Sequence, residues 1–149
     1  MRLSQRAIQF GLAAMLLSLS FPANAQQAKK VPRIGFVSAG NLSRPGSRVE
    51  AFRKALHEIG YTDGKNILVE IRYIGGMNDQ IPRIVTELVE QKVDVLVVRP
   101  QPSIRAAKQA TQTIPIVMVT TQDPVAGGFI NSLAKPGGNI TGVTTSSES

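Results

Sequence analysis

The 149-residue sequence contains no cysteine and a single histidine, and these two shortages remove several classes of chemistry. Without cysteine there is no disulfide framework, no thiolate nucleophile and no zinc-ribbon spacing. Exported bacterial proteins do without disulfides often enough that this shortage fixes no compartment. The lone His57 lies between Leu56 and Glu58, beside the apolar stripe of an expected helix, and reads as a surface residue. A nucleophilic triad therefore lacks its base, and no Gly-x-Ser-x-Gly elbow presents a serine. No G-x-x-x-x-G-K-[ST] phosphate loop occurs, and "AGNLSRPG" (39–46) misses the dinucleotide spacing G-x-G-x-x-G. No acidic pair is spaced to hold a metal. The chain is thus expected to be no enzyme and to carry neither a metal nor another cofactor.

Long hydrophobic runs are also missing. The longest apolar stretch, Phe10 to Phe21, follows Arg2 and Arg6 and ends in Pro22-Ala23-Asn24-Ala25. A membrane anchor needs about 18 to 20 apolar residues, whereas a basic start, a short apolar core and a small-x-small site make a secretory signal peptide. Residues 1–25 are expected to be cleaved after Ala25, followed by a polar linker over 26–32 and a single domain over 33–149. With no cysteine after the site, lipoprotein anchoring is not expected, and the mature protein is placed in the periplasm. The excess of 17 Lys and Arg over 10 Asp and Glu gives a net charge of +7. Its basic residues are scattered singly among acidic ones, unlike the clustered arms that bind nucleic acid. The charge reads as solvated surface with a bias toward anionic ligands, and no nucleic-acid partner is expected.

What remains is an alternation of β-type and amphipathic runs. "RIGFVS" (33–38) is followed by a turn-rich loop and a helix in which Ser47 and Glu50 form a capping-box pattern. Val49, Phe52, Leu56 and Ile59 recur there at helical spacing, and Gly60 supplies a stop. "NILVEIRY" (66–73) puts Ile67, Val69 and Ile71 on one face of a second strand. Asp79 is placed as the N-cap of the next helix, with Pro82 in its first turn and a stripe of Ile81, Ile84, Val85, Leu88 and Val89. "VDVLVV" (93–98) is nearly all apolar, which suits a strand buried on both faces of a parallel sheet. Pro102 opens a third helix with Ile104, Ala107 and Ala110, and "IPIVMV" (114–119) makes a fourth strand. Asp123-Pro124 reads as N-cap and first residue of a short helix toward Leu133, weakened by Gly127 and Gly128. A fifth strand is expected over 140–145. This spacing fits βαβ units in a doubly wound parallel α/β sheet of flavodoxin-like order 2-1-3-4-5.

In such sheets ligands bind beyond the carboxyl ends of the strands, which selects the loops 38–46, 99–103 and 120–123. Ser38, Ser43, Gln101, Ser103, Thr120 and Thr121 bring hydroxyl or amide groups there. The helices that follow aim N–H groups the same way, a setting that attracts anions. A small carboxylate-bearing solute fits, with Arg99 as its partner. Ser103 reads equally as a helix cap, Asp123 more readily as a cap than as a contact, Arg99 more readily as a residue that solvates a strand end, and Thr120 and Thr121 also as plain strand-end residues. A response-regulator reading of the same sheet needs acidic residues where Ser38 and Arg99 stand.

Together, "EAFRKALHEIGYTDGKNILVEIRY" (50–73), "VDVLVV", "IPIVMV", "DPV" (123–125) and "SLAKPGGNITGV" (132–143) resemble the first lobe of the ABC-transporter substrate-binding protein family that includes tryptophan and tyrosine binders. The resemblance implies a type I periplasmic-binding-protein fold, in which two similar lobes close on a small solute and present it to an inner-membrane permease. It also implies a crossover to a second lobe after "PGGNITG", so the chain is expected to be one lobe of a truncated solute-binding protein. By matching position, the cleft-lining residues are Ser38, Ala39, Gln101, Ser103 and Thr120 to Asp123. Arg99-Pro100-Gln101-Pro102 stands where the family usually carries a Gly-Thr-Pro segment, which leaves the solute unnamed. The open edge of the fifth strand is expected to allow pairing with a second copy. The rival reading is a single-lobe periplasmic sensor or interaction module.

Overall fold

The computed structural model describes residues 30–41, 43 and 46–145. The expected signal peptide, the start of the linker and part of the loop after the first strand lie outside the described residues. From Val31 onward the chain forms one unit. Its order is β1 (Arg33–Ser38), α1 (Ser47–Glu58), β2 (Leu68–Tyr73), α2 (Ile81–Glu90), β3 (Val95–Val98), α3 (Gln101–Ala110), β4 (Ile116–Thr120) and β5 (Ile140–Thr144). The strands form one sheet in the order β2-β1-β3-β4-β5, and every pairing is parallel. This is the order expected from the spacing, because each helix carries the chain back to the amino end before the next strand starts.

Strand alternation sorts the core into two layers. Val37, Leu96, Val98, Ile116 and Met118 point to the side covered by α2 and α3, where they pack on Ile81, Val85, Leu88, Ile104 and Ala107. These helices are anchored by the stripes read from the sequence, and each fully buried Leu or Ile contributes about 1.5–3 kcal/mol. Phe36, Val97 and Val49 form a smaller cluster on the opposite face, joined by Ile34, Phe52, Val95 and Val117. The Phe36 and Phe52 rings meet at 5.1 Å between centroids. Only α1 covers this face among the described residues, so an apolar trough of about 450 Å³ remains beside it, floored by Val95, Val97, Val117 and Val119.

Three local expectations need correction. The capping box does not form: Gly46 is the N-cap with extended backbone (φ −61°, ψ 141°) and no side chain caps the helix, so Ser47 is its first residue. Asp79 is not an N-cap either, since residues Asn78–Gln80 make a 3-10 turn that leads directly into α2, with Gln80 at the cap. No helix follows Asp123-Pro124. The Asp123 carboxylate does accept from the Val125 and Ala126 amides at 2.8 and 3.2 Å, but the chain leaves after one turn at Gly128, whose φ is +70°. At the far end of α1 the expected stop does form. Gly60 (φ +91°) donates to the His57 carbonyl at 3.0 Å and Tyr61 donates to Leu56 at 2.8 Å, the paired bonds of a Schellman ending. Ile59 is left exposed there, off the stripe, as is His57.

Candidate functional site at the carboxyl edge of the sheet

Because all five strands run the same way, their carboxyl ends and the loops leaving them gather at one edge. β3 ends at Val98, and the Arg99 amide extends the ladder by donating to the Val37 carbonyl at 3.3 Å. The chain turns at once through Pro100, which is extended and acts as the N-cap of α3, with Pro102 in the first turn. Pro102 suits this place because it has no N–H to leave unsatisfied and its φ already matches a helix. One strand away, β4 ends at Thr120. Its hydroxyl oxygen accepts from the Gln122 amide at 3.1 Å, which folds the chain back over the strand end. The Thr145 amide then donates to the Thr120 carbonyl at 2.9 Å, tying the end of β5 to the same place.

These ends enclose a cleft of about 450 Å³ lined by Arg48, Arg99, Pro100, Gln101, Pro102, Val119, Thr120, Thr121, Gln122 and Thr145. Hydroxyl and amide groups from three segments converge with two guanidinium groups, and none of the lining residues is acidic. The Nε of Arg99 is buried and has no hydrogen-bond partner. Burial, and then the positive charge of Arg48, pull the Arg99 guanidinium below its ordinary range. Both causes disfavour the charged form of Arg99, and an anion placed against its guanidinium would offset them. Among the described residues no three His, Cys, Asp or Glu side chains cluster as metal ligands would.

Of the residues singled out from the sequence, Arg99, Gln101, Thr120 and Thr121 line the cleft. Ser38 is buried at the end of β1, and its Oγ accepts from the Gly40 amide at 3.5 Å. Ala39 is exposed beside it and does not line the cleft. Ser103 faces the core, fully buried, with an Oγ that finds no partner. Asp123 is exposed and spends its carboxylate on its own turn. Gln122, within the expected run Thr120 to Asp123, also lines the cleft, whereas reasoning from the sequence missed Arg48, Val119 and Thr145. Arg48 had one legible signal: it stands in the first turn of the helix that follows β1, the position that brings a side chain over the sheet's carboxyl edge.

Residues 37–148 match the family described as ABC transporter substrate binding protein. The chain belongs to that family. It is 38% identical over 117 residues to a tyrosine-binding protein of Clostridioides difficile (strain R20291), a match covering 78% of this chain and 34% of the relative. Among solved structures, the lobe superposes on a ligand-free, open substrate-binding protein with adhesive properties from Clostridium difficile. The TM-score is 0.71 with 30% identity, over 78% of this chain and 39% of that one. It also matches the ABC domain in complex with L-Trp from Streptococcus pneumonia, with a TM-score of 0.65 and 25% identity over 76% of this chain and 38% of that one. The chain of this family member thus spans about a third of the length of its curated relative.

Proposed function

We propose that this chain supplies one lobe of the solute-binding component of an ABC importer, working in the periplasm after cleavage of residues 1–25 and without a lipid anchor. The observation that carries the reading is the cleft at the carboxyl ends of β3 and β4, where Arg99, Gln101, Thr120 and Thr121 meet Arg48 with no Asp or Glu among the described lining residues. Its solute is small and carries a carboxylate. Family membership supports a binding role, and two relatives are named for tyrosine or hold L-Trp. The working cycle is a population shift: solute contacts from two lobes favour a closed form, which an inner-membrane permease recognises. No covalent step is involved.

One lobe alone binds weakly. A whole cleft of micromolar affinity corresponds to about 8 kcal/mol, and half of that leaves a dissociation constant of order millimolar. Calorimetric titration of the chain with amino acids and small carboxylates is expected to show only millimolar binding. A micromolar constant would contradict the half-cleft reading.

A second reading, an interaction module, is favoured by the sheet edge. β5 is the last strand in the described sheet, and residues 141–144 are exposed. An unpaired edge is a template for another strand, and one solved neighbour is described as having adhesive properties. Pairing of two copies through β5 is expected to appear in sedimentation velocity as a concentration-dependent dimer. A clean monomer at high concentration excludes it.

A further inference from the structure

The arginines of the described lobe divide into two groups. Arg53 pairs with Asp63 at 3.3 Å, Arg72 with Glu70 at 3.4 Å and Arg83 with Glu87 at 3.7 Å. Arg33 donates to the Gln91 carbonyl at 3.1 Å, and Arg105 stacks over the Phe129 ring at 5.6 Å. The guanidinium groups of Arg48 and Arg99 form no ion pair or hydrogen bond among the described residues, and these two arginines line the cleft. A structural arginine is normally given a carboxylate, a carbonyl or a ring face. Two that face one another's charge without any of these stabilise nothing by themselves.

The wall is also one-sided in its chemistry. Each guanidinium offers only donors, in a planar fork that fits a carboxylate or phosphate. Thr120, Thr121 and Gln101 add neutral polar groups, and among the described lining residues there is no Asp or Glu to receive an ammonium. A zwitterionic amino acid would therefore place its cationic group in a field made by two cations. A ligand with two anionic groups neutralises both arginines and lifts the repulsion that burial and Arg48 impose on Arg99.

Resting on the reading of this cleft as the solute site, we infer that it selects a small organic dianion over a zwitterionic amino acid, with Arg48 and Arg99 as the residues that set this preference. Dicarboxylates and phosphate monoesters share the required chemistry.

The test is an amide chemical-shift titration of the full ¹⁵N-labelled chain at low ionic strength, with succinate, glycerol phosphate and L-tryptophan as separate probes. The Arg99, Gln101, Thr120 and Thr121 amides are expected to move with a dianion at least tenfold more tightly bound than tryptophan. The tighter of the two dianions names the anion type. Arg48→Gln, an exposed substitution, is expected to weaken dianion binding about tenfold, as loss of one charged hydrogen-bonding partner does, and so to narrow the preference for a dianion over tryptophan. Tryptophan binding as tightly as either dianion, or dianion binding unaffected by Arg48→Gln, overturns the inference while the same four amides still mark the cleft as the solute site. If no probe moves those amides, the reading of the cleft fails and the inference falls with it.

Discussion

Gly142 makes the sharpest test of how the cleft is built. It sits in β5 opposite Met118 with φ +154°, a conformation open to glycine and strained for every L side chain. A β-carbon added there would also run into the backbone carbonyl oxygen of Met118. Gly142→Ala must therefore hold the strand under strain or release it. Holding costs about 1–3 kcal/mol for the backbone alone, with the collision in addition. Release costs less than a core strand would suggest, because Ile140 is the one buried residue of β5 and 141–144 are exposed. The amino end stays fastened: the Ile116 amide donates to the Asn139 carbonyl at 2.8 Å, and the Asn139 amide group donates to the Ile114 carbonyl at 2.7 Å. The strand is expected to peel from 142 onward, with a stability loss of about 1–3 kcal/mol, each ladder bond being worth about 0.5–1.5 kcal/mol. Urea denaturation gives the magnitude and amide hydrogen exchange gives the place. The Thr145 amide, bonded to the Thr120 carbonyl, loses protection while the Ile116 amide keeps it. An unchanged urea midpoint together with unchanged Thr145 exchange would refute the reasoning.

Two further substitutions separate stability from binding. Leu88 is fully buried between α2 and the sheet, so Leu88→Ala is expected to cost about 2–5 kcal/mol and to lower the urea midpoint of the lobe severely; a loss below about 1 kcal/mol would mean the core is packed otherwise. Asp123→Ala removes the two amide bonds of its turn and is expected to cost about 1 kcal/mol in urea denaturation. The chemical shifts of the Arg99 and Thr120 amides are expected to stay in place in that variant, because Asp123 does not line the cleft.

The sheet was legible because its signals are periodic and redundant. The stripes of α2 and α3 and the apolar run of β3 each specify a buried face, and no single residue decides them. Cap chemistry was less so, since it turns on one residue's backbone angles. Gly46 takes the extended cap conformation in place of Ser47, and at Gly127-Gly128 the chain leaves the Asp123-Pro124 turn before a helix forms. In the cleft, Arg99, Gln101, Thr120 and Thr121 follow from the rule that parallel strand ends share an edge. Ser103 shows the limit of that rule: it lies in the same loop-helix junction, yet helical phase turns it inward beside Ile104. Arg48 and Thr145 arrive from the first turn of α1 and from the end of β5, contacts that only the folded chain brings together.

The central claim is that a solute sits at the carboxyl edge of β3 and β4, held by Arg48 and Arg99. The most direct measurement is an electron-density map from crystals of the chain grown with succinate at high concentration, collected in parallel with crystals grown without it. The account predicts ligand density within hydrogen-bond distance of both guanidinium groups and of Thr120 or Thr121. Density confined to the apolar trough beside α1, or an empty cleft whose arginines have turned to protein partners, would contradict it.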